Sequence, residues 1–185
     1  MIKDTLIEIA NNFNQLSLEC TEDIKSASDL MIKCLKEDNK IMFCGNGGSA
    51  ADSQHLAAEL VGRYRKNRKA LSALALTTDT SSITAIANDF SFEDIYARQI
   101  DALGKKNDVL FAISTSGNSA NIVNAIIAAK KLEINVIGLT GKDGAKMNGV
   151  CDVLIKVPSI RPDRIQEMHI AIGQILCDIV ESFLC

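Results

Sequence analysis

Histidine is scarce: His55 and His169 are the only two in 185 residues, which excludes a metal centre built on several imidazoles. Any ion held here must also take carboxylate, amide or thiolate donors. No Cys-x-x-Cys spacing occurs among the six cysteines (Cys20, Cys34, Cys44, Cys151, Cys177, Cys185), and several sit inside apolar runs. They read as reduced core thiols, which points to the cytoplasm. No run of Lys or Arg stands out at a formal charge of -3, and the mixed segment 63–69 interleaves only Tyr64. That argues against a basic nucleic-acid surface. No apolar stretch approaches the roughly 18 residues of a membrane span, and the opening MIKDTLIEIANNFNQ is too polar for a secretory signal. A chain without membrane contact is expected, of a length that suits one domain over residues 1–185.

What is present centres on residues 40–64, KIMFCGNGGSAADSQHLAAELVGRY. Ile41 to Cys44 is a short apolar run that stops at Gly45, Asn46, Gly47 and Gly48, and a helical pattern follows from Ser49. This is a strand, a glycine turn and a helix. The glycines let the backbone approach a ligand, Ser49 is placed to cap the helix, and its free N–H groups favour an anion such as phosphate. The turn lacks the Gly-Lys-Ser/Thr of a nucleotide P-loop and the third glycine of a dinucleotide fingerprint, so nucleotide binding loses ground. A tight strand-to-helix turn with no ligand is the plainer alternative. On the same helix His55 and Glu59 stand four residues apart and project from one face. They can share a metal or a substrate, or form a solvated polar pair.

Residues 2–37 carry apolar positions at helical spacing broken near Cys20 to Glu22, which predicts two helices, the second capped by Thr21. Such helices, within residues 1–38, cover a sheet edge or pair with a partner subunit. Strands are expected at 72–77, 108–113, 134–139 and within 150–157. Asp79 to Thr84 supplies turn and cap ahead of a helical AIANDF that Asn88 and Asp89 close, and 92–103 reads as a helix ending at Gly104. The third strand runs into Ser114-Thr115-Ser116-Gly117-Asn118-Ser119, four hydroxyls in six residues ahead of a helix at 120–131. A cap needs one hydroxyl, so this turn reads as a second anion site. The βαβαβ alternation predicts a three-layer α/β sandwich: five parallel strands, helices on both faces, both turns at the carboxyl edge. From Pro162 a long amphipathic helix runs to the C-terminus, and its polar positions Gln166, Glu167, His169 and Gln174 are expected to face solvent or a subunit interface.

The motifs CGNGGSAADSQHLAAEL, STSGNS, LTGKDG and RIQEMH together resemble the sugar isomerase (SIS) fold and, within it, the bacterial sedoheptulose 7-phosphate isomerases, or phosphoheptose isomerases. The resemblance implies a homotetramer with active sites between subunits. It also implies conversion of sedoheptulose 7-phosphate to D-glycero-D-manno-heptose 7-phosphate, the first step toward the ADP-activated heptose of lipopolysaccharide cores. Carried over position by position, Asn46, Gly47, Gly48, Asn88, Asp89, Glu59 and Gln166 contact substrate, while Ser114, Thr115, Ser116 and Ser119 hold its phosphate. Glu59 becomes the base that moves a proton between the two carbons of an enediol. The implied zinc ion takes His55, Glu59, Gln166 and the position of Gln174, which is also the position of the family's catalytic acid.

At that last position this chain departs from the family, which carries histidine where Gln174 stands. An amide is no general acid near neutral pH and is a weaker zinc ligand than imidazole. Gln166 and Gln174 are also about 12 Å apart along a helix. Long side chains or two subunits are required for both to reach one ion. The departure keeps two further readings in play. One is a protein resembling the DnaA initiator-associating protein, a tetramer that binds the replication initiator. The other is a sugar-phosphate-binding regulator without turnover.

Overall fold

The computed structural model describes residues 1–185. Two amphipathic helices, α1 (Ile2–Glu19) and α2 (Thr21–Lys36), precede the first strand, β1 (Ile41–Gly45), all five residues of which are buried. The glycine turn opens α3 (Gly48–Val61), after which the chain forms a short strand, β2 (Ala73–Ala75), and α4 (Thr80–Asp89). A single 3-10 turn (Phe92–Asp94) leads to α5 (Ala97–Leu103), then β3 (Val109–Ser114) and α6 (Ala120–Lys131). The chain closes with β4 (Asn135–Thr140), β5 (Val153–Lys156) and the 23-residue α7 (Pro162–Leu184). Pro162 stands in the first turn of α7, where its missing N–H removes a donor that has no intrahelical acceptor.

The five strands pair in parallel in the order β2-β1-β3-β4-β5. Their apolar runs are buried on both faces and alternate between two cores, as a period of two requires. Ile41, Phe43, Val109, Phe111, Ile137 and Leu139 face α1, α2, α3 and α7, while Met42, Cys44, Leu110, Ala112 and Val136 face α5 and α6. The expected three-layer α/β sandwich is therefore present. From β1 the chain steps one way to β2 and then returns to β3 on the other side, so the strand order reverses between β1 and β3. A reversal of this kind opens a crevice at the carboxyl ends of the two strands. The glycine turn leaves β1 at that crevice, and the serine turn leaves β3.

Several local expectations need correction. Thr21 does not cap α2, because its hydroxyl donates back to the Ser17 carbonyl at 2.7 Å. Ser49 does not cap α3: the helix starts one residue earlier with Gly47 as N-cap, and Ser49 is buried inside the first turn. Helix α4 begins at Thr80, since Asp79 accepts from the Ser82 N–H at 3.0 Å and supplies a cap ahead of the apolar stretch. The expected helix over 92–103 is divided because Ser91 caps a separate 3-10 turn through the Glu93 N–H. His169 faces neither solvent nor an open surface; it is fully buried beneath the sheet. Helical periodicity placed it one position from the apolar stripe, and the long helix buries a wider face than that stripe.

All six cysteines are free thiols, four of them buried, in agreement with the reading of reduced core residues. No helix is long and apolar enough to cross a membrane.

Candidate active site

The two turns are tied to each other. Asn46 in the glycine turn and Asn121 in the first turn of α6 exchange amide hydrogen bonds, each 2.8 Å, across 75 residues of sequence. Each amide keeps one N–H and one lone pair for another partner. At the base of the glycine turn, the Tyr96 hydroxyl donates to the Gly45 carbonyl, anchoring the end of β1. The crevice is thus held by side chains from three separate segments.

The serine turn is shaped by Gly117, whose φ of 64° lies in the left-handed region and whose missing Cβ would stand 2.4 Å from the Gly144 carbonyl oxygen. Only glycine fits there without strain. The Ser114 hydroxyl donates to that of Ser119 at 3.2 Å, and Ser116 accepts from the Asn118 N–H at 3.2 Å. Ser119 is the N-cap of α6 but makes no side-chain cap bond, so the first-turn donors of that helix are left for an incoming anion. Thr115 is held through its carbonyl, which accepts from the Gly141 N–H at 3.1 Å.

Helix α3 carries the titratable groups. His55 Nε2 and Glu59 Oε1 are 3.0 Å apart, with the imidazole about half exposed (47%) and the carboxylate 21% exposed. The pair is accessible without being fully solvated. One turn earlier, Asp52 has its carboxyl pushed up by burial, with the nearby His55 acting to lower it. Alongside runs α7, and the two helices touch at close-approach points. A Cβ on Gly48 would lie 2.8 Å from the Gln166 amide, and one on Gly173 would lie 2.5 Å from both methyls of Leu56. Glycine at each place lets the partner side chain sit against backbone. The order of these contacts, 48 with 166 and 56 with 173, makes the two helices run in the same direction.

That alignment decides where the expected residues meet. Gln166 lies at the glycine turn, whereas Gln174 follows Gly173, which faces Leu56 in the middle of α3. The Glu59 carboxylate lies within electrostatic reach of Cys177 on α7. Burial pushes the Cys177 thiol up to about 12, and the Glu59 carboxylate adds to that push. Asn88 and Asp89 stand apart at the exposed end of α4, joined to each other by a 2.8 Å hydrogen bond and to none of the groups above.

His55 and Glu59 suit a zinc ion as two ligands, one neutral imidazole nitrogen and one carboxylate, on adjacent turns. No group of three His, Cys, Asp or Glu side chains in the chain could hold a metal. The donors that remain for a full set are the amides of Gln166 and Gln174. The fit is that of a weak site.

The comparisons follow this geometry. The SIS domain family model matches residues 6–141. A phosphoheptose isomerase of Rhodospirillum rubrum is 54% identical over 167 residues, covering 90% of this chain and 89% of the relative. One from Nitratiruptor is 52% identical over 183 residues, with 98% of each chain covered. The solved phosphoheptose isomerase GmhA of Neisseria gonorrhoeae superposes with a TM-score of 0.93 at 44% identity, over 98% of this chain and 97% of that one.

The chain belongs to the phosphoheptose isomerase family.

Members of this family are aldose-ketose isomerases, and the relatives' names give no support to the replication-initiator reading. The superposition also bears out the SIS fold. Some residues that shape the crevice and its helices escaped the sequence reading. Asn121 sits two positions beyond the serine turn, and Arg68 and Glu181 carry no local motif. Only Asn121 left a signal, a polar residue on the otherwise apolar face of α6.

Proposed function

We propose that this chain interconverts sedoheptulose 7-phosphate and D-glycero-D-manno-heptose 7-phosphate in the cytoplasm, in the supply of heptose for lipopolysaccharide cores. The observation that carries the reading is Glu59: a half-screened carboxylate on the helix that leaves the glycine turn, in a chain about half identical to phosphoheptose isomerases over nearly its whole length. Ser114, Thr115, Ser116, Ser119 and the open N-terminus of α6 receive the phosphate, whose charge matches those donors. Asn46, Gly47, Gly48 and Gln166 line the sugar chain between the turns. Glu59 takes the proton from C1 of the ketose, leaving an enediolate; the hydroxyl proton passes from O1 to O2 by way of solvent water, and Glu59 returns its proton to C2, giving the aldose. His55, hydrogen-bonded to Glu59, orients that carboxylate. A zinc ion held by His55, Glu59 and the two glutamines would supply polarisation of the carbonyl when bound. Asn88 and Asp89 reach substrate bound in another subunit's crevice.

The test is incubation with sedoheptulose 7-phosphate in deuterated water, followed by NMR. Deuterium at the exchanging carbon together with appearance of the aldose supports the reading. Absence of both, with and without added zinc, removes it.

Gln174 separates activity from metal affinity. Gln174→His restores an imidazole donor, and zinc binding measured by calorimetry should tighten by about tenfold or more. Equal affinities in the two proteins would show that position 174 lies outside the ion's reach.

The assembly we propose is a homotetramer. An apolar groove of about 530 Å³ runs between α1, α2 and α7, lined by Phe13, Leu16, Ile24, Ile32, Ile175 and Ile179. A second copy would bury this face, together with exposed Leu6 and Phe183. Light scattering should return four times the 20.0 kDa chain mass, and a monomer in dilute solution would refute the assembly.

A further inference from the structure

Helix α3 has an unusual ending for an element that carries a proposed base. Glu59 lies in its last turn, the residue after the helix is Gly62 at φ −78° and ψ −97°, and no basic residue of the helix itself lies in that turn. The left-handed glycine that commonly satisfies the last carbonyls is therefore missing. A single guanidinium from the following loop takes its place. Arg68 Nη2 donates to the Glu59 carbonyl at 2.8 Å, and Nη1 donates to the Leu60 carbonyl at 2.8 Å and to that of Lys69 at 3.1 Å.

Arg68 is itself held from α7. Its Nε donates to Glu181 Oε1 at 3.0 Å, and the two side chains are 3% and 1% exposed. Glu181 also accepts from the backbone N–H groups of Tyr64, Arg65 and Lys66 at 3.0, 2.7 and 2.8 Å. A buried carboxylate with four donors is fully satisfied, so it is a rigid anchor. The neighbouring Arg65–Asp178 pair, 68% and 38% exposed, has no such constraint. Glu181 lies two turns beyond Gln174 on α7, so the lock joins the far ends of the two helices that carry the site.

We propose that Arg68, seated by Glu181, is a positioning residue for the isomerisation: it fixes the backbone of Glu59 and so sets where the carboxylate meets the substrate carbon. This inference rests on the reading of Glu59 as the base. Helix ends fray, and a base displaced by about 1 Å loses on the order of a hundredfold in rate. Lysine in place of Arg68 keeps the charge beside Glu181, but one ammonium does not span Glu181 and two carbonyls at once.

The experiment compares the unaltered protein with Arg68→Lys, Glu181→Gln and Glu59→Gln, reading kcat and KM separately and following amide exchange by mass spectrometry. In Arg68→Lys, kcat should fall about 10- to 100-fold with KM within about threefold, and exchange should quicken over 59–62 while β3 stays protected. In the unaltered protein, protection should extend to the Gly62 N–H, which donates to the Ala58 carbonyl at 2.8 Å. A folded Arg68→Lys protein with unchanged kcat overturns the proposal. If that variant does not fold, frayed exchange at 60–62 in the unaltered protein, or full kcat in Glu181→Gln, overturns it equally. Wild-type turnover in Glu59→Gln would instead remove the base assignment and the lock's catalytic purpose with it, and the exchange data would still report the lock, so the two failures are told apart.

Discussion

Glu59→Gln should lower kcat by about 10³-fold while leaving the fold and KM nearly unchanged, because a positioned general base contributes about 10² to 10⁴ in rate. The amide has almost the same shape, and its oxygen still accepts from the His55 ring at the 3.0 Å now seen between the two side chains. What it cannot do is take a proton from carbon. Deuterium incorporation into sedoheptulose 7-phosphate should therefore fall in step with turnover, since enediol formation is the step removed. Phosphate binding at the serine turn should persist, because that turn belongs to β3 and α6, whereas Glu59 lies in the last turn of α3. Titration with substrate, monitored by NMR, separates the two effects. A variant that still exchanges the carbon-bound proton at the normal rate would mean that another group is the base.

The second large effect is on stability in mild acid, and it comes from His169. Burial holds its imidazole down to about 4, from 6.5. Neither ring nitrogen has a protein hydrogen-bond partner, nor does the Thr140 hydroxyl. Between pH 6.5 and about 4 the unfolded chain binds a proton here that the folded chain refuses, so stability falls as the pH drops through that range. At about 1.4 kcal/mol for each unit, the full loss is about 3 kcal/mol, a large share of the roughly 5 to 15 kcal/mol of a typical domain. Above the upper end of that window both states are neutral at this residue, and the contribution is constant. Urea midpoints from pH 7 down to 4.5 should show the decline, and His169→Leu should flatten it. An identical slope in both proteins would show that other groups set the acid limit.

Glu181 has the opposite character. Burial acts to raise its carboxyl, but the N–H groups of Lys66, Arg65 and Tyr64 and the Arg68 guanidinium outweigh burial and hold it down at about 2. Its stabilisation is present above the ordinary 4.5 and disappears only as the pH falls toward that lower value. The His169 and Glu181 windows meet near pH 4 to 4.5, so Glu181 adds no slope to a midpoint series above that point.

Much of this molecule is local, and what is local was legible. Five apolar runs, stopped at Gly45, Thr77, Ser114, Thr140 and Pro158, gave strands whose observed bounds differ by no more than three residues from those expected. Helix α6 occupies 120–131 as expected, because Ser119 and the double lysine at its end mark both termini. The pairing of His55 with Glu59 follows from helical spacing alone. Caps were less legible: Thr21 and Ser49 have the right residue type for an N-cap, but backbone geometry one residue away had already begun each helix. His169 was misplaced because amphipathic spacing describes a helix with one open face, whereas α7 packs against the sheet and α3 together.

By itself, then, the sequence determined the order of strands and helices, the glycine and serine turns at the carboxyl edge, and the family to which the chain belongs. Each depends on short windows of residues, where periodicity and turn chemistry act directly. The tertiary structure alone decided that Asn46 grips Asn121, that Gln166 lies on Gly48, that Leu56 fills the gap at Gly173, and that Arg68 is clamped by Glu181 across 113 residues. These contacts join segments brought side by side by the strand order and by two helices packed in parallel, and no local preference of either partner encodes the other.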